Sequence, residues 1–187
     1  MKESGKFSKF KSFFIELLET FLTTLIVLFI IYATVAMPEQ VVGASMEPNF
    51  HTGERILVEK LTKHFKSFER GDVVVLNPPG NESSDYIKRI IGIPGDIVKV
   101  FDCQVYISTD GKKYVLDETY LPKGTCTTEG PRLKEGRSIK IEENEYLVLG
   151  DNRARSSDSR YFGLVEANSI LGRVIFRFWP LDKLGFI

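Results

Sequence analysis

Histidine and cysteine are scarce in this chain of 187 residues: His51, His64, Cys103 and Cys126, and no others. None falls at the short paired spacings that zinc sites use, so neither a metal site nor a cofactor is expected. Net charge is lacking as well. The 25 basic and 25 acidic residues cancel, and without a basic excess there is no electrostatic footprint for nucleic acid. No internal repeat or low-complexity tract appears, which leaves an ordinary globular composition. A further absence is local: from Phe21 to Met37 not one residue is charged.

That uncharged run, extended by Leu17 and Leu18, predicts a transmembrane helix over Phe13–Met37. A span needs about 20 apolar residues, and Glu16 and Glu19 can sit among the headgroups. A cleaved signal peptide has an apolar region of only about 7–15 residues. Thr34 and Ala36 also make a poor cleavage site, so an uncleaved anchor is expected. Pro38 cannot continue the helix. Lys2, Lys6, Lys9 and Lys11 precede the apolar run with only Glu3 against them, and no Lys or Arg lies between Met37 and Arg55. This asymmetry puts the N-terminus in the cytoplasm and the remainder across the membrane. The expected domains are residues 1–38, a cytoplasmic N-terminus with a single anchor, and residues 39–187, one extracytoplasmic domain.

Beyond the anchor the pattern is β. Arg55–Glu59 reads as a short strand. Arg70-Gly-Asp72 is a turn into the β-branched run Val73–Leu76. Residues 77–85 form a loop rich in Pro, Asn and Ser. Tyr86–Ile91 is a strand with Tyr86, Lys88 and Ile90 on one face. Ile97–Phe101 follows an Ile-Pro-Gly-Asp turn. Residues 102–144 change character, being rich in Thr, Lys, Glu and Gly. They read as an exposed inserted subdomain with a hairpin turn at Asp110-Gly111. Cys103 and Cys126 both lie in it, and in an oxidising compartment they can pair. Glu145–Leu149 and Leu171–Trp179 are the closing strands.

Ser45, in Val42-Gly-Ala-Ser-Met-Glu-Pro48, is a candidate nucleophile. Only seven residues separate it from Met37, so it lies within about 30 Å of the end of the apolar run. Its base is either a histidine, as in a Ser-His-Asp triad, or a lysine. His51 and His64 sit in polar loops without a partner pattern. A lysine has an ordinary pKa near 10.4 and must be desolvated to act as a base. Lys88, flanked by Ile87, Ile90 and Ile91, is best placed for that, and the Ser156–Ser159 turn can supply a hydroxyl to orient its amine.

Taken together, Ser45-Met-Glu-Pro48, Arg70–Leu76, Tyr86-Ile-Lys-Arg-Ile-Ile-Gly-Ile-Pro-Gly-Asp96 and Gly150-Asp-Asn-Arg through Asp158-Ser-Arg-Tyr-Phe-Gly163, with the anchor, resemble the type I signal peptidases. These are membrane-bound Ser/Lys endopeptidases that remove signal peptides from exported precursors. The resemblance implies a mostly β fold: an N-terminal transmembrane helix, then a β-rich catalytic domain with a small inserted β subdomain at about 102–144. It implies Ser45 as nucleophile, Lys88 as general base and Ser156 as the hydroxyl that orients Lys88. Asp158 and Arg160 match the structural ion pair behind the site, and Met46 matches a substrate-pocket residue. The partners implied are signal-peptide-bearing precursors with small residues at the first and third positions before the cut, together with membrane lipid. The location implied is the cytoplasmic membrane. Two positions depart from the family: Gly43 stands where some members carry a serine that completes the oxyanion hole, and Asn49 where threonine is common. The alternatives are a related organellar or conjugation-type Ser/Lys maturation peptidase, or a non-catalytic membrane-tethered β domain that binds a partner. Burial of Lys88 separates the two classes, because a binding domain has no need of it.

Overall fold

Helix α1, Ser4–Thr34, opens the chain. The computed structural model describes residues 4–81 and 83–187. Lys2 and Glu3, which count in the charge asymmetry, and Glu82, in the expected 77–85 loop, lie outside the described residues. Two units emerge, Met1–Ala36 and Met37–Ile187. In the first, the 22 residues Lys11–Tyr32 are long and apolar enough to cross a membrane, since at 1.5 Å per residue they reach about 33 Å. The hydroxyls of Thr20, Thr24 and Thr34 donate to the carbonyls of Glu16, Thr20 and Ile30 one turn back. These polar groups are therefore satisfied within the helix, as an apolar solvent demands.

The helix ends three residues earlier than the expected Met37. Residues Ala36–Gln40 form a strand instead, β1. The cause is Pro38, which disfavours helical backbone at the residue before it and, lacking an N–H, is tolerated in a strand at a sheet edge.

The remaining elements follow in order: β2 (Arg55–Glu59), α2 (Thr62–Phe65), β3 (Val73–Leu76), β4 (Tyr86–Gly92), β5 (Ile97–Phe101), β6 (Gln104–Thr109), β7 (Lys112–Val115), β8 (Ser138–Lys140), β9 (Glu145–Leu149), α3 (Ser159–Phe162), β10 (Val165–Glu166), β11 (Ile170–Trp179) and β12 (Gly185–Phe186). The larger sheet runs β1-β2-β11-β3-β4-β9-β10, with β12 also on β11; the smaller runs β7-β6-β5-β8. The fold is thus mostly β behind one apolar helix. The smaller sheet contains β5 as well as the strands after residue 102, so it spans Ile97–Lys140. Asp110 and Gly111 both have positive φ, the backbone that a two-residue turn between twisted strands requires.

Three cores follow from the period of two. In β3, Val73 and Val75 enter one core with Val41, Met46, Phe50 and Ile87. Val74 and Leu76 point to the opposite face and join Ile90, Tyr146 and Val148. A third core, with Ile91, Val98, Ile107 and Leu147, joins the two sheets. Each such side chain contributes about 1.5–3 kcal/mol when fully buried. Gly92 lies at an irregularity in the β4–β9 pairing. A Cβ there would overlap Ile141 and Val98, so the crossing from the larger sheet to the smaller needs a residue without a side chain.

Candidate active site

Ser45 stands on a loop closed at its base. Val41 N–H donates to the Glu54 carbonyl and Gly53 N–H to the Val41 carbonyl, both at 2.9 Å. Within it Gly43 has φ +95°, backbone that residues with a Cβ seldom adopt. The Thr52 hydroxyl holds this glycine twice, accepting from its N–H and donating to its carbonyl, each at 3.0 Å. The turn is also seated from below: Met46 is 1% exposed and packs with Phe50 in the core beneath. Among the described residues no carbonyl accepts from the Ser45 N–H.

Lys88 is delivered by β4, directly opposite Val74 of β3. It is 2% exposed. Its Nζ lies 3.0 Å from Ser45 Oγ and donates to the Ile87 carbonyl at 2.8 Å. The Tyr86 ring centroid is 5.0 Å away. Burial pushes the lysine pKa down from 10.5 to about 8, although Asp158 and Asp151 pull the other way. A charged amine loses its hydration on burial, whereas the neutral amine loses little, so the proton is released more readily. The strand that carries Lys88 is half open. Tyr86–Lys88 pairs with β3 on one side, but pairing with β9 begins only at Arg89.

The segment after β9 completes the site. Asn152 grips the Ser45 loop by two bonds, from its N–H to the Ser45 carbonyl and from its side-chain amide to the Ala44 carbonyl, each at 3.0 Å. A Cβ on Gly150 would overlap both Ser156 Oγ and the Ser45 carbonyl oxygen. This glycine is therefore required by close approach and not by its backbone angles. Asp158 and Arg160 form a doubly bonded pair, 2.8 and 2.9 Å, at 0% and 1% side-chain exposure. Asp158 also accepts from Gly150 N–H at 3.1 Å, and Arg160 donates to the Arg153 carbonyl at 2.7 Å.

Ser156 is brought to the site but is not bonded to Lys88. It is 6% exposed, and among the described residues its Oγ has no hydrogen-bond partner. Neither histidine bonds Ser45: His51 lies exposed beside Glu54 and Lys183, and His64 is on α2 beside Phe65. Cys103 and Cys126 are joined in a disulfide.

Several residues of the site carry no local signal. Arg89 closes on Asp151 with both arms, at 2.9 and 2.7 Å. Asn49 bridges Asp151 and the Tyr120 carbonyl, at 2.8 and 2.9 Å. Arg153 is held by Glu118 and Thr127. These partners are distant in sequence. The Gly150-Asp-Asn-Arg153 run marked the place without revealing what each side chain meets.

Residues 14–179 match the family model described as signal peptidase, peptidase S26. The probable signal peptidase I-2 of Synechocystis sp. is 38% identical over 178 residues, covering 92% of this chain and 77% of its own. Signal peptidase IB of Staphylococcus aureus is 36% identical over 172 residues, covering 86% of this chain and 87% of its own. A crystal structure of a signal peptidase I from Enterococcus faecalis is 32% identical, with a TM-score of 0.47, over 58% of this chain and 97% of that one. The chain thus belongs to the signal peptidase family, peptidase S26, and is a peptidase that cleaves signal peptides.

Proposed function

We propose that Ser45 is the nucleophile of this peptidase and Lys88 its general base. The observation that carries the reading is the 3.0 Å approach of Ser45 Oγ to the Nζ of a buried lysine whose pKa is lowered to about 8. In its neutral form Lys88 takes the hydroxyl proton as Ser45 Oγ bonds to the scissile carbonyl carbon. The Ile87 carbonyl accepts from the amine and aims its lone pair at Ser45. The proton then passes from Lys88 to the departing amine, and the carbon–nitrogen bond breaks to leave an ester on Ser45. A water, deprotonated by the same lysine, releases the acyl half. Such a positioned base contributes about 10²–10⁴-fold. The Ser45 N–H is the donor for the developing oxyanion, fixed in place by the Asn152 grip on the adjoining carbonyl.

The substrate reaches the site as an extended strand. The unpaired edge of Tyr86–Lys88 offers main-chain groups for it, the strand-addition mode of peptide recognition. Ser156, whose Oγ has no partner among the described residues, is the hydroxyl that turns to Lys88 during proton transfer. Asp158 and Arg160 hold the segment carrying it, and Met46 supports the pocket for the residue before the cut. The substrates are precursors with small residues at the first and third positions before that cut. The enzyme works at the cytoplasmic membrane as a single-pass protein with its N-terminus inside, its anchor in lipid and its catalytic domain outside.

The test is cleavage of a secretory precursor in detergent. Ser45→Ala and Lys88→Arg should each abolish it, since arginine cannot give up its proton in a protein, whereas His51→Ala and His64→Ala should retain most activity. Cutting by Lys88→Arg at near the wild-type rate would sink the reading.

A further inference from the structure

A groove of about 740 Å³ opens two residues past Ser45, at Glu47 and Pro48. Glu47 and Pro48, which follow the nucleophile, form its near wall, and Pro122, Thr125 and Cys126 its far wall. The far wall is fixed: Cys126 is bonded to Cys103, and Thr127 N–H donates to the Cys103 carbonyl at 3.0 Å. Asp151 to Ala154 complete the lining. Asn152 lines the groove and its N–H holds the Ser45 carbonyl at 3.0 Å.

Three charged side chains line it. Asp151 is closed by Arg89 and Asn49, and Arg153 by Glu118 and Thr127. Glu47 differs. It is partly exposed, and among the described residues no basic side chain pairs with it. The other lining residues are uncharged, so Glu47 sets the sign of the groove.

We infer that this groove receives the residues that follow the scissile bond, and that Glu47 favours a basic residue among the first few of them and disfavours an acidic one. The inference rests on the Ser45/Lys88 reading. With the acyl half along the open edge of β4, the chain beyond the scissile carbonyl has to leave past Ser45, and the groove begins two residues on, at Glu47, and includes Asn152, which holds the Ser45 carbonyl. Extended residues advance about 3.3 Å each, so the second or third comes within reach of Glu47. A partly exposed ion pair gives about a two- to fivefold preference, and added salt weakens it.

The experiment uses the full chain in detergent and peptides spanning one cut site, with Lys, Ala or Glu as the second residue after it. In the wild type kcat/KM should follow the order Lys, Ala, Glu, with a spread that narrows in high salt. Glu47→Gln should flatten the series and Glu47→Lys reverse it. A Lys-to-Glu ratio unmoved by Glu47→Lys overturns the inference. A second variant tests the placement of the groove. Ala154→Trp should lower kcat/KM for a peptide with four residues after the cut relative to one with a single leaving residue; equal effects on the two overturn it. Ser45→Ala on the same peptides keeps the two readings apart. Cutting by that variant sinks the dyad itself, whereas a flat series from an enzyme that needs Ser45 sinks only the groove.

Discussion

Asp158 and Arg160, two residues apart in the chain, meet in a fully buried pair that fastens both ends of the Gly150–Arg153 segment. Asp158 takes the Gly150 N–H, and Arg160 reaches the carbonyl of Arg153. Removing one member of such a pair leaves an uncompensated buried charge and costs about 3–5 kcal/mol. Asp158→Ala and Arg160→Met should each lower urea stability by that order. The double variant should lose clearly less than the sum, because neither charge is then orphaned. Strict additivity in the unfolding midpoints would show that the two do not act as a unit.

The lysine predicts a pH profile with a definite sign. The folded-state pKa is about 8 against an ordinary 10.5, so kcat/KM should rise with pH and level off above an apparent pKa of about 8. Asp158 favours the charged amine; Asp158→Asn, where folded, should therefore move that limb toward lower pH. Stability follows the same proton. Between pH 8 and 10.5 the unfolded chain binds more protons than the folded one, so unfolding free energy rises across this window. At pH 7 the buried charge costs on the order of 3 kcal/mol. Lys88→Met should be inactive yet more heat-stable than the wild type at pH 7, with the advantage shrinking toward pH 10. A thermal gap independent of pH would contradict the buried, titrating lysine.

The Cys103–Cys126 bridge spans a sequence separation of 23, and closing a loop of that size contributes about 3 kcal/mol in the chain-entropy model. Cys103→Ser with Cys126→Ser should lower Tm by about 6–12 °C for a domain of this size. Reductant should shift the wild type and leave the double variant unmoved. If the two proteins melt together without reductant, the bridge adds nothing to the fold.

The lysines before the apolar run predict an inward N-terminus. Protease added to intact spheroplasts should therefore digest residues 39–187. Protection until lysis would reverse the orientation.

Much of the fold was legible because its strands are short and buried. Arg55–Glu59, Val73–Leu76, Ile97–Phe101 and Glu145–Leu149 stand where alternation and β-branching put them. Their order was not legible, since hydrophobic period says which residues face a core and not which strand lies alongside. So Ile97–Phe101 was readable as a strand, but not as part of the smaller sheet. Lys88 could be singled out because a charge among isoleucines is locally odd. The missing bond at Ser156 and the Asn49 bridge to Asp151 and Tyr120 had no such mark. Each depends on segments brought together only by the finished fold.

Strand β11 lies between β2 and β3 in the larger sheet. β2 follows the loop that carries Ser45, and β3 is paired with the strand that carries Lys88. The last long strand to be synthesised therefore joins the strand that follows Ser45 to the one paired with the strand of Lys88. Chains emerge from the ribosome N-terminus first, so an incomplete copy has Ser45 and Lys88 but lacks the strand that lies between β2 and β3. A copy truncated before residue 170 leaves the facing edges of β2 and β3 without the strand they share.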